Sequence, residues 1–350
     1  MSPLRLACLC MGLSLAPSFA VACDVCALAL GNKNSSLKPH QTELRLDQQI
    51  LVMKKTELGN SYVKNEQRER LTSSLSHFVF AYGLSEKLTF EASVPLVSRH
   101  YRRIAGEGTR TASDSGLGDI SFKGEAKLLN RKFAGGTATL FTSAGIKIPT
   151  GDEGRLTATH HSESESENDS DHHAAPEAEH DSEEAHQHEI AMLRHAGEDH
   201  SVLTAVHEHD LALGTGSFDF PLAVRLQQTW GTWGLGADAQ YMIRTSGESD
   251  YRYGNDLLYS LWAGHQFTLA TSQVMWLALH LSGEHKESDR QAGAEEDASE
   301  FRNLYVGPSM ALNAASLNAS LNVDIPVSTE TEGYQLVPET RVRFSLGFRF

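Results

Sequence analysis

Arg341-Val342-Arg343-Phe344-Ser345-Leu346-Gly347-Phe348-Arg349-Phe350 alternates without interruption. Val342, Phe344, Leu346, Phe348 and Phe350 fall on one face, and Arg341, Arg343, Ser345 and Arg349 on the other. Successive side chains of a strand point to opposite sides, so this is a strand with one apolar and one charged face. Working back along the chain, the pattern recurs. Leu317, Ala319, Leu321, Val323 and Ile325 oppose Asn318, Ser320, Asn322 and Asp324; Trp233, Leu235, Ala237, Ala239, Tyr241 and Ile243 oppose Asp238, Gln240 and Arg244. Phe218 to Leu226, Ile120 to Leu128 and Leu88 to Leu96 repeat it.

A soluble sandwich alternates as well, so connection lengths carry the next step. Strands at 41–54, 70–81, 87–101, 117–129, 136–148, 216–229, 233–245, 255–267, 273–285, 302–313, 316–327 and 339–350 have the length a tilted spanning strand needs. Short turns at Gly83–Glu86, Asn130–Gly135, Gly231–Thr232, Thr268–Thr271 and Ala314–Ala315 alternate with long connections at 55–69, 102–116, 149–215, 246–254, 286–301 and 328–338. That asymmetry belongs to a transmembrane antiparallel up-and-down β-barrel of about twelve strands, an all-β fold. Trp230, Trp233, Tyr82, Phe133 and Phe267 fall at or beside short turns, where an aromatic girdle lies. The even strand number puts both termini and the short turns on the periplasmic side of an outer membrane. A secreted β-sandwich is the competing expectation.

Arg5 followed by the apolar run Leu6 to Ala22, ending Ala20-Val21-Ala22, reads as a secretory signal peptide over 1–22. Residues 23–40 then form a periplasmic N-terminal segment with a CxxC, and 41–350 the barrel. Cys23 and Cys26 are the mature cysteines, so a disulfide-stapled fold is excluded. Ala27 stands where haem attachment requires His. A local disulfide, a metal-binding thiolate pair, and a lipidated Cys23 all remain open for these two residues.

The connection from Asp152 to Asp210 is unlike the rest. It holds 17 acidic and 2 basic residues, a charge of −15 that equals the charge of the whole chain. Eleven of the 17 histidines lie in it: His160, His161, His172, His173, His180, His186, His188, His195, His200, His207 and His209. Almost nothing in it is apolar enough to build a core, so a long disordered extracellular loop is expected. Neutral imidazole with neighbouring carboxylate suits Zn, Ni or Cu(II), whereas Ca prefers all-oxygen shells and Cu(I) wants sulfur. No fixed ligand spacing appears, so the eleven histidines, with Cys23 and Cys26, are candidate metal ligands of a flexible chelating tract; a solvated acidic loop is the alternative.

The predicted lumen face carries Arg45, Asp47, Glu91, Lys123, Glu125, Lys127, Asp238, Arg244, Asp324, Arg341 and Arg343, both signs together. No nucleophile and base are singled out by spacing, so an enzyme is not expected, nor is an organic cofactor or a nucleic-acid partner. The expected partners are outer-membrane lipid, the barrel-assembly machinery, for which the aromatic end Arg349-Phe350 resembles the recognition signal, and a metal ion or small solute.

Gly116-Leu117-Gly118-Asp119-Ile120, Lys147-Ile148-Pro149-Thr150-Gly151, Leu213-Gly214-Thr215-Gly216-Ser217 and Tyr251-Arg252-Tyr253-Gly254-Asn255 resemble the outer-membrane β-barrels grouped with the phenol meta-cleavage pathway, over about residues 70 to 350. The resemblance implies a transporter-like barrel for small aromatic or apolar compounds. The histidine-rich insert lies where the family pattern has none. The expected function is an outer-membrane channel or transporter whose external loop binds divalent transition metal. A passive channel for small aromatic or apolar compounds and a non-transporting surface metal-binding protein are the alternatives.

Overall fold

The computed structural model describes residues 37–106, 108–156, 205–206, 208–247, 250–296 and 298–350. Twelve long strands form its wall: β1 (Thr42–Leu58), β2 (Arg70–Gly83), β3 (Leu88–Ala105), β4 (Ser121–Phe133), β5 (Gly136–Lys147), β6 (Phe220–Trp230), β7 (Trp233–Ile243), β8 (Asp256–Ala270), β9 (Gln273–Lys286), β10 (Phe301–Asn313), β11 (Leu317–Thr331) and β12 (Tyr334–Arg349). Each pairs antiparallel with its neighbour in sequence, and β12 returns to β1 from Glu43↔Arg349 to Leu58↔Tyr334. Closure leaves no edge among the twelve described wall strands, which is what lets a sheet cross lipid with its backbone groups paired.

The alternation in sequence becomes the two faces of the wall. Leu44, Phe78, Leu279 and Phe348 point outward and are at least half exposed, whereas Asp324 and Arg341 point into the lumen and are buried. An apolar exterior around a charged interior is the inverse of a soluble core and is stable only in lipid. At the end carrying the short turns, Trp230, Trp233, Phe133 and Phe267 are exposed, and His265 packs edge-on to Trp233.

Three expectations change. The connection at 328–338 is not a long loop: β11 and β12 extend to a two-residue turn at Glu332–Gly333, where Gly333 takes φ +70. The strand expected at 117–129 begins at Ser121, and Gly108–Leu117 forms a separate strand on the outer half of β3, from Leu96↔Leu117 to Ala105↔Gly108. Alternation continued through these rims because they too are paired strands. The insert from 152 to 210 does contribute core at its far end, where Ala205, Val206 and His209, with the adjoining Leu211, are buried against the inward side chains of β1, β2 and β12. These few apolar residues were hidden by the polar average around them.

Candidate transport lumen

The four short motifs, far apart in sequence, meet at one point. Asp119, between the strand Gly108–Leu117 and β4, accepts the backbone N–H of Gly151 at 3.0 Å and of Thr215 at 2.9 Å. Its carboxylate also lies 2.8 Å from the Lys147 ammonium at the end of β5. Lys147 is shared: it reaches Asp219 at 2.7 Å and donates to the Thr215 hydroxyl at 2.9 Å. Asp219 in turn meets Arg244 at 2.8 Å, and Arg244 Nε donates to Asp256 at 3.0 Å. From the fourth motif, Asn255 takes the Arg244 N–H at 2.9 Å and the Tyr253 ring lies 5.9 Å from the Arg244 guanidinium. Asp219, Arg244 and Asp256 have fully buried side chains. Buried charges at this density persist only when each is paired and hydrogen-bonded.

The same point clamps the insert. Asp152 O accepts from Leu213 N and Gly214 N at 3.1 and 3.0 Å, so both arms of the insert leave the barrel side by side. Gly151 and Gly214 pass so closely that a Cβ on Gly151 would sit 2.7 Å from Gly214 Cα. This is the reason for glycine in both motifs: each backbone occupies the place of the other's side chain.

Beyond the clamp, the returning arm folds into the barrel mouth. A 3-10 turn at Glu208–Leu211 presents Leu211 to the cluster of Leu51, Met53, Leu71, Tyr101, Val206 and Leu336, and Leu213 reaches deeper to Leu75 and Val97. Each such side chain contributes about 1.5–3 kcal/mol on burial. Polar anchors fix the depth. Ala205 N donates to Glu69 at 2.9 Å, Leu336 N donates to Ala205 O at 3.2 Å, Tyr253 OH donates to His209 O at 3.0 Å, and Arg99 donates to Asp210 O. Glu69 is held in place by the Tyr101 hydroxyl at 2.9 Å. Between the returning arm and the wall lies a cavity of ≈ 60 Å³, lined on its apolar side by Met53, Leu71, Val206, Phe301 and Leu336. Nearby, outside the spanning strands, Tyr251 donates to Asp289 at 2.6 Å; burial first, and then that carboxylate, push the phenol far above its usual range, so it stays a donor.

Further ionic groups line the wall. Arg341 on β12 holds Glu284 on β9 through two bonds of 2.9 and 2.7 Å and Asp324 on β11 at 2.6 Å, while Arg343 reaches Asp324 at 2.8 Å. Arg45 links Glu43, Asp47 and Glu91, and Lys123 meets Glu91 at 3.2 Å. Arg225 pairs with Glu125 at 3.0 Å. Asp238 accepts the Ser260 hydroxyl at 3.3 Å beside them, so the expected lumen residues are there, except Lys127, which donates to the Glu86 carbonyl at a short turn. Asp219, Glu284, Glu69 and Arg99 are working members of the lumen that were not singled out. Inward parity was available for Asp219 and Glu284; nothing local marked Glu69, whose partners are 32 and 136 residues away.

Of the candidate metal ligands, His209 is described. Its Nε2 lies 3.5 Å from Asp210 and 4.0 Å from Asp289, and its ring stacks obliquely on Tyr251. Among the described residues no three His, Cys, Asp or Glu side chains gather to hold a metal ion. His160, His161, His172, His173, His180, His186, His188, His195, His200, His207, Cys23 and Cys26 lie outside the described residues, as does the segment 1–22 expected to be a signal peptide.

The family model for the MetA-pathway of phenol degradation matches residues 206–339, which include the Leu213–Ser217 and Tyr251–Asn255 motifs. The chain is thus similar to that family from Val206 in the returning arm to Glu339 within β12. Among solved structures, an outer membrane channel from Pseudomonas putida F1 superposes with TM-score 0.59 at 14% identity, over 91% of this chain and 98% of that one. That likeness establishes a shared barrel fold. The β domain of the Bordetella autotransporter BrkA (TM-score 0.40, 10% identity, 88% and 99% covered) and the translocator domain of NalP from Neisseria meningitidis (0.38, 10%, 93% and 93%) are more distant barrels. No curated protein matches the chain.

Proposed function

We propose that the chain is an outer-membrane channel for a small solute, with both termini periplasmic and the histidine-rich insert outside the cell. The observation that carries this reading is the combination of a lipid-compatible closed barrel with a lumen lined by buried ion pairs and a mouth occupied by the insert's own returning arm. Such a mouth links passage to whatever engages the insert. The insert is read as a collector of divalent transition metal, Zn, Ni or Cu(II), taken as cargo, because eleven imidazoles among seventeen carboxylates offer many interchangeable ligand sets.

A second reading, passage of small aromatic or apolar compounds, is favoured by the apolar side of the mouth cavity. Liposome flux on the full mature chain and on a variant lacking 159–203 separates them. Flux by both variants, with metal retained by the full chain alone, is expected. A chain that inserts yet passes nothing overturns the channel; equal metal binding by both variants, or phenol-sized solutes passing with no metal bound by either, moves the function to the second reading. Surface labelling of intact cells near Glu183 but not at Asn130 checks the orientation, and the reverse pattern inverts it.

A further inference from the structure

The outward face of β1–β3 changes character along its length. On β2 the outward residues run from Tyr82, Phe80 and Phe78 through Ser74 and Thr72 to Arg70; on β3 they run from Phe90 and Leu96 through Ser98 and His100 to Arg102. Arg70 and Arg102 are direct cross-strand partners, both exposed. Like charges directly opposite one another oppose strand pairing, so this position works against the wall that carries it. Among the described residues, acids nearby are engaged elsewhere: Glu339 pairs with Lys54 at 2.8 Å, Glu66 with Lys64 at 3.6 Å, and Glu57 lies beside Lys55. Arg70 and Arg102 have no acidic partner among the described residues.

Their height is informative. Twelve residues of β2 separate Arg70 from Tyr82, which at about 3.3 Å per residue and a tilt of about 40° places the arginines about 30 Å above the girdle end. That is the thickness of a bilayer's hydrocarbon, so the pair stands at the opposite headgroup layer. Among the described residues, outward positions elsewhere on this rim include Tyr241, Ile243 and Tyr259 and the closed pair Arg302–Glu330 at 3.0 Å.

We propose that Arg70 and Arg102, flanked by Lys54, Lys55 and His100, form a docking site for the phosphate of an outer-leaflet phosphoglycolipid of the lipid A type. Two guanidinium groups side by side suit bidentate binding of one phosphate, which removes the repulsion between them. The site faces lipid and lies apart from the lumen; it rests on the outer-membrane orientation proposed above.

The test is native mass spectrometry of the full chain extracted from nanodiscs containing phosphorylated or dephosphorylated lipid A. Wild type should retain the phosphorylated form, and Arg70→Ala/Arg102→Ala should retain it about thirtyfold more weakly, two basic residues at about 1 kcal/mol each. Arg70→Lys/Arg102→Lys should recover part of the binding, and the dephosphorylated lipid should not distinguish the variants. A shift of electrophoretic mobility on heating, together with liposome flux, confirms separately that each variant is a folded, inserted barrel. If wild type itself fails those two controls, the outer-membrane reading has failed rather than the docking site. Equal retention by wild type and the alanine variant overturns the proposal. So does inorganic phosphate stabilising wild type as strongly as the lipid, or lipid retention that appears only when 159–203 is removed, which would make the acidic insert the occupant.

Discussion

Replacing Lys147 by methionine removes the one ammonium shared by Asp119 and Asp219 while keeping the length of the side chain. The two carboxylates then keep unequal support. Asp219 retains Arg244 at 2.8 Å, whereas Asp119 loses its cation and keeps the N–H groups of Gly151 and Thr215 at 3.0 and 2.9 Å. Breaking a buried pair costs about 3–5 kcal/mol because a charge stays behind without its partner, and the retained donors put this case near the lower end, about 3 kcal/mol. That is about a hundredfold in the folding equilibrium at 1.4 kcal/mol per tenfold. The assay is urea unfolding of the barrel reconstituted in vesicles, followed by tryptophan fluorescence and by mobility without heating. In Lys147→Met/Asp119→Asn the stranded charge is gone, so at least half the loss should return. Because Asp119 also clamps both arms of the insert, the single variant should pass current with more frequent openings in planar bilayers. A single variant within 1 kcal/mol of wild type, or a double variant less stable than the single, refutes this account of the Asp119–Lys147–Asp219 cluster.

Deleting 159–203 should leave a folded barrel and remove most Zn, Ni or Cu(II) binding seen by calorimetry, whereas carrying the deletion through His209 should also cost stability, since Ala205 and Val206 pack in the mouth. Metal binding by histidines should fall away as pH drops through about 6.5, while carboxylates alone would hold metal to about pH 4–5; a midpoint in the lower range would assign the binding to the acids. Gly151→Ala should open the insert's base, because its Cβ meets Gly214 Cα at 2.7 Å, and protease should then cut the returning arm faster than in wild type. Glu300, in the loop before β10, is held above its ordinary pKa by burial and then by Glu332. An acid whose folded pKa is raised destabilises the fold when ionised, so this rim gains stability as pH falls through that pKa. Glu300→Gln should therefore slow proteolysis of the 287–300 loop at pH 7 and make it insensitive to pH; unchanged pH dependence would remove Glu300 as the cause.

The period-two faces, the number of spanning strands and most of their limits were legible in the sequence, because the side-chain period of a strand is a local property and lipid outside with charge inside imposes it on every strand. β12 illustrates this: Val342 to Phe348 set its outward face, and Arg341 and Arg343 point into the lumen. The insert's charge and histidines were equally plain, being matters of composition. What the tertiary structure decided is which charges meet. Arg341 finds Glu284, 57 positions away and on a strand that is not its neighbour; Ala205 finds Glu69 across 136 positions. Barrel curvature brings such residues together, and a pattern of period two is blind to it. The four short motifs could be recognised one by one, yet their convergence on Asp119, Lys147 and Asp219, and the return of residues 205–213 into the mouth, depend on the closing register between β12 and β1 and on the pinned base of the insert. Those long-range constraints have no local signature.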